Sequence, residues 1–158
     1  MMRQSKLYPA RPLRPPAKIF LAAPNSVEGR VIIESIVTPG LDQVGAQAVR
    51  MSNIKPDKLA SSILDNINRC DGMIGVMVRC NPHVFWELGV GFALGKPLIL
   101  LANDEREFGL LADAAHCVLR SDDIGETRIR FDVALRDAMQ LAASRTFVVL
   151  PAQRPAMP

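Results

Sequence analysis

Apolar residues along this chain fall into short unbroken runs, separated by segments in which they recur every three or four positions. The first run, residues 18–24 (KIFLAAP), ends in proline and predicts a buried strand, and the following NSVEGRVIIESIV predicts a helix capped by Asn25 or Ser26. Residues 47–52 (QAVRMS) read as a second strand. KLASSILDNINRC (residues 58–70) places Leu59, Ile63, Leu64 and Ile67 at helical spacing, and Asp71-Gly72 then turns the chain. MIGVMV (residues 73–78) is apolar on both faces, as a central parallel strand should be. A helix follows in NPHVFWELGVGFALGKP, with Asn81 as cap, Pro82 at its first position and Gly95 ending it. PLILLA (residues 97–102) and the weaker HCVLR (residues 116–120) are further strands. ETRIRFDVALRDAMQLAAS (residues 126–144) is a long helix with Ile129, Val133, Leu135, Met139 and Leu141 expected towards the core, and residues 147–150 are expected to add an edge strand.

Strands alternating with helices imply right-handed crossovers and a doubly wound α/β sheet of about five parallel strands, whose ligands bind beyond the carboxyl ends of the strands. A length of 158 residues suits one domain, placed at residues 18–150 between a basic, proline-rich arm (1–17) and a flexible tail (151–158). No apolar run reaches the roughly 20 residues that span a bilayer, and prolines interrupt any leader-like segment, so a cytoplasmic protein with no membrane partner is expected.

The formal net charge of +3 resembles a nucleic-acid signal until it is located. Arg3, Lys6, Arg11, Arg14 and Lys18 supply five positive charges with no acid among them, leaving −2 for the remainder. The basicity belongs to the arm, and nucleic acid is not an expected partner of the domain. Cys70, Cys80 and Cys117 give neither a disulfide framework nor zinc-ligand spacing, and Cys80 with His83 is too little for a metal, so no metal or cofactor is expected.

Chemistry concentrates at Glu87, one carboxylate amid Val84, Phe85, Trp86, Leu88, Val90 and Phe92. Burying it costs several kcal/mol unless partners are supplied. His83 lies one turn before it and Gly91 one turn after, where the missing side chain is expected to leave room for a small molecule. A purely structural role, with Glu87 paired to His83, Arg79 or Arg30 or turned to water, is the alternative. Arg30, near the start of the first helix, is placed to hold a phosphate or carboxylate. Phosphate-binding loops of the P-loop and G-x-G-x-x-G kinds are absent, as is the serine elbow.

KIFLAAP, ILDNINRCDGMIGVMV and NPHVFWELGVGFALGKPLILL together resemble the nucleoside 2-deoxyribosyltransferase-like superfamily over roughly residues 18–102. The resemblance implies a flavodoxin-like fold, action at the N-glycosidic bond of a nucleoside or nucleotide, and Glu87 as nucleophile. It further implies that Asn81 and His83 orient that carboxylate or the sugar, that Phe20, Ala23, Pro24 and Asn25 line the base or sugar site, and that Arg30 holds a 5′-phosphate. Asn81 stands where transferases of this family tend to carry aspartate, and Phe20 where they carry tyrosine, which favours a hydrolase. The apolar character of the 81–97 helix implies a homodimer or larger oligomer. The same helix is also similar to TIR-like nucleotide-sensing domains of bacterial signalling and defence, in which a glutamate cleaves NAD or only binds.

Overall fold

A computed structural model describes residues 16–51, 59–115, 117–120 and 123–145. The expected arm over residues 1–15, the edge strand at 147–150 and the tail at 151–158 lie outside them. Ala17 is buried, and its carbonyl accepts from Gln47 N–H (2.7 Å).

Five parallel strands form one sheet: β1 (Lys18–Ala22), β2 (Gln47–Val49), β3 (Gly72–Met77), β4 (Leu98–Ala102) and β5 (Cys117–Arg120), in the order β2-β1-β3-β4-β5. This is the flavodoxin-like arrangement, and the order reverses between β1 and β3, so that the crevice for a ligand lies outside their carboxyl ends. Every residue of β3 and β4 is buried, as central strands covered on both faces require. One layer holds α1 (Val27–Ile32), α2 (Thr38–Val44) and α6 (Ile124–Arg145), packed on Ile19, Leu21, Ile74, Val76, Ile99 and Leu101. The other holds α3 (Leu59–Arg69), α4 (Pro82–Ala93) and the short α5 (Leu110–Ala114), with Phe20, Met73, Met77 and Leu100 beneath them. Among the described residues no helix is long and apolar enough to cross a membrane.

Ser26 caps α1 by accepting from Gly29 N–H (3.1 Å). The helix does not stop at Val37 as the pattern implied but runs on into α2 through a π-helical turn, Ile33–Val37. The wider turn accommodates Pro39, which has no N–H to give a regular helix. Asp71 is a turn residue at the amino end of the sheet, its carboxylate accepting from Lys18 N–H (2.8 Å).

In α6 the core face differs from the expected one. Phe131, Ala134, Leu135 and Ala138 are buried, whereas Ile129 and Val133 are 71% and 58% exposed. Small alanines let the helix lie close to the sheet, and Gly40 of α2 closes the same contact, since a β-carbon there would stand 2.5 Å from Phe131 Cε1.

Candidate active site

The carboxyl end of β3 turns into α4 through Val78, Arg79 and Cys80. Arg79 adopts φ 53°, a left-handed conformation that costs a non-glycine residue about 1 kcal/mol. Its guanidinium lies 3.8 Å from Glu28 in the first turn of α1, an exposed pair across the crevice and not a partner of Glu87. Asn81 then caps α4, its Oδ1 accepting from the N–H groups of His83 (3.0 Å) and Val84 (3.3 Å). At the far end Gly95, at φ 68°, closes the helix, with Gly95 N–H donating to Phe92 O and Lys96 N–H to Gly91 O (both 2.9 Å).

Two glycines seat α4 on the sheet. A β-carbon at Gly75 of β3 would lie 2.8 Å from both Leu88 methyls, and one at Gly91 of α4 would lie 1.8 Å from Met73 Sδ. Strand and helix each carry a notch filled by the other. Gly91 is therefore buried against β3, and the room its missing side chain leaves is taken by Met73; the expected ligand space at this glycine is corrected to a packing contact. Gly91→Ala is expected to lower stability by about 1–3 kcal/mol despite the roughly 1 kcal/mol alanine gains over glycine in a helix. Urea unfolding measures it, and an unchanged midpoint would show that Met73 swings aside freely.

This seating holds Glu87 half-buried in the second turn of α4, on the flank between the buried Leu88 face and water. Burial pushes its carboxyl up from 4.5 to about 7, opposed by the positive charge of Arg50 just beyond β2. The carboxylate is thus poised between its two forms near neutrality, as nucleophiles and proton carriers at active sites are. Among the described residues no cluster of three His, Cys, Asp or Glu is placed to hold a metal.

The other expected site residues divide. Asn25 and His83 are exposed at the crevice ends of β1 and β3, Ala23 is half-buried beside them, and Arg30 is exposed on α1. Asn81 shapes the site through the helix start, with its oxygen committed to the cap. Pro24 is buried and packs on Gly29, where a β-carbon would lie 2.9 Å from Pro24 O. Phe20 is 0% exposed within the cluster containing Ile63, Ile67, Val84 and Leu88, so it supports α4 from below and offers no surface to a ligand. The expectation that Phe20 lines the site is corrected accordingly. Arg50 was missed, since a lone arginine after a three-residue strand carries no motif.

Known structures share this architecture. The Clostridium botulinum CMP N-glycosidase BcmB matches with a TM-score of 0.59 and 24% identity, covering 73% of this chain and 98% of its own. A 2-deoxyribosyltransferase from Bacillus psychrosaccharolyticus matches with a TM-score of 0.56 and 21% identity over 71% of this chain and 90% of its own. The chain has the nucleoside 2-deoxyribosyltransferase-like fold. A conserved protein from Enterococcus faecalis V583 has the same architecture, at a TM-score of 0.51 and 14% identity over 72% of this chain and 98% of its own. No protein-family model and no curated protein matches the sequence. In the nucleoside 2-deoxyribosyltransferase-like fold of this chain, Asn25 lies in the loop after β1, and His83 and Glu87 lie in the first two turns of α4, which follows β3, so that the three border the switch between β1 and β3.

Proposed function

We propose that this domain breaks the N-glycosidic bond of a nucleoside or nucleoside monophosphate, with Glu87 as the nucleophile. The observation that carries the reading is the half-buried carboxylate on α4 at the sheet's switch point, held by the paired glycine notches. Two proteins sharing the fold, a CMP N-glycosidase and a 2-deoxyribosyltransferase, support it by their names. A Glu87 oxygen attacks the anomeric carbon, the carbon–nitrogen bond breaks, and its electron pair leaves with the base, which takes up a proton. The glycosyl ester is then attacked by water, which loses a proton and frees the carboxylate. Hydrolysis rather than transfer to a second base fits Asn81, whose oxygen caps the helix. Asn25 and His83 contact the sugar or base, with Ala23 beside them.

The reading includes a homodimer acting in the cytoplasm. Trp86 and Phe92 stand 45% and 55% exposed on α4, an apolar surface that a second copy of the chain would cover.

Chromatography tests the chemistry. Wild-type protein and Glu87→Gln are incubated with ribo- and deoxyribonucleosides, their monophosphates and NAD, with and without an acceptor base. Free base from wild type alone supports the proposal, and dependence on the acceptor would turn it from hydrolase to transferase. Melting-temperature shifts with no base from any ligand would make the domain a nucleotide-binding module, and base from NAD alone an NAD-cleaving one.

A further inference from the structure

The amino end of the sheet, opposite the crevice, carries a cavity of about 400 Å³. Cys70 and Asp71 border it ahead of β3, Leu94, Lys96 and Pro97 between α4 and β4, and Ala142 in the last turn of α6. A void of about 10 Å³, room for no more than one water, adjoins it and shares Asp71, Pro97 and Ala142. Ile19, Ile99 and Leu135 of the core also wall that void.

The two charges at the cavity are engaged with the protein's own backbone. Lys96 Nζ donates to the carbonyls of Asn68 (2.8 Å) and Cys70 (2.7 Å), and the Asp71 carboxylate accepts from Lys18 N–H (2.8 Å). Burial pushes the Cys70 thiol up to about 11, so at neutral pH it is an uncharged wall that packs like a small hydrophobe. With Leu94, which is 43% exposed, Pro97 and Ala142, it gives an occupant a mainly apolar surface.

A segment of matching chemistry leaves α6 at this place. Ala142 borders the cavity, α6 reaches Arg145 three residues later, and the sequence continues TFVVLP. Phe147, Val148, Val149 and Leu150 are four consecutive apolar residues, a run that is unfavourable in water. Extended, four residues span about 13 Å. The edge strand expected for this segment is a longer journey. The last two turns of α6 lie over the starts of β1 and β3, and a strand added beyond either edge of the sheet would lie three strand spacings, about 14 Å, from β3.

We propose that residues 147–150 dock in this cavity and cap the amino ends of β3 and β4, with their apolar side chains against Leu94, Pro97 and Ala142. The cap closes the core from below and braces the carboxyl end of α4, the helix that carries Glu87. Glu87 itself plays no part in it.

The test places a thiol at the cavity's rim, Leu94→Cys, in the full chain with Cys80→Ser and Cys117→Ala, and measures its rate of reaction with a maleimide. Three tails are compared: the native one, Phe147→Asp with Val148→Asp, and Ala152→Asp with Ala156→Asp, which adds the same charge beyond the segment. Adjacent positions are changed so that one aspartate faces the cavity whichever way the segment lies. The thiol is expected to react about tenfold faster in the 147/148 variant than with the other two tails. With Leu94 intact, the same pair of aspartates should lower the melting temperature by about 5 °C and the 152/156 pair should leave it unchanged. Should the 147/148 aspartates prevent folding, Phe147→Ser with Val148→Ser must move both readouts in the same direction by less. Equal labelling with all three tails, or an unchanged melting temperature in the 147/148 variant, overturns the proposal. Protection that fades on dilution also overturns it, by assigning the cover to a second copy of the chain.

Discussion

Glu87→Gln is expected to lower base release by about 1,000-fold or more, roughly 4 kcal/mol of transition-state stabilisation, while the protein stays folded. The amide matches the carboxylate in shape but has no charge with which to attack the anomeric carbon, so the covalent route closes. Whatever rate survives comes from binding and orienting the sugar, which the change leaves in place. Folding should not suffer, because a neutral side chain suits the half-buried flank of α4 better than an ionised one. Single-turnover base release and a melting curve on the same preparation separate the two effects. A loss below tenfold would remove Glu87 from the nucleophile's role, and a collapse of the melting transition would make it a structural residue whose partner the fold requires.

The parts of this protein legible in the sequence are those where one residue type answers one local demand. The all-apolar runs at β3 and β4, the Asn81-Pro82 start of α4 and the left-handed Gly95 at its end follow from backbone and burial rules that operate over a few residues. Misreadings arose where the deciding neighbour is distant in sequence. Gly91 lacks a side chain whether a ligand or Met73 fills the space, and only the seating of α4 on β3 tells which. Phe20 lies in a strand buried on both faces, so alternation could not say which side it takes. On α6 hydropathy favoured Ile129 and Val133, whereas close approach to the sheet selected Ala134 and Ala138. The charge of Arg50 acts on Glu87 because the sheet order brings β2 beside β1, a fact no local pattern encodes.

Activity and stability should move in opposite directions between pH 5 and 8, both through Glu87. Attack needs the ionised carboxylate, so with its carboxyl held at about 7 the value of kcat/KM should climb about tenfold per pH unit below that point and level off above it. Stability runs the other way. The carboxyl titrates higher in the fold than its ordinary value of 4.5, so the stabilising effect of the neutral form is fully present below pH 4.5 and is lost as pH rises through 7. With the carboxylate partly open to water, the loss is about 1–2 kcal/mol, equivalent to a few degrees in melting temperature. Glu87→Gln has no such loss, so its melting temperature relative to wild type should increase from pH 5 to pH 8. Arg50→Gln should move the activity limb to higher pH, since the guanidinium favours the ionised form. An activity limb near 4.5 with no pH-dependent gap between the melting curves would show that Glu87 ionises as though in water. In that case its half-buried position on α4 would not be what makes it reactive, and the chemistry would have to come from a carboxylate activated by substrate binding alone.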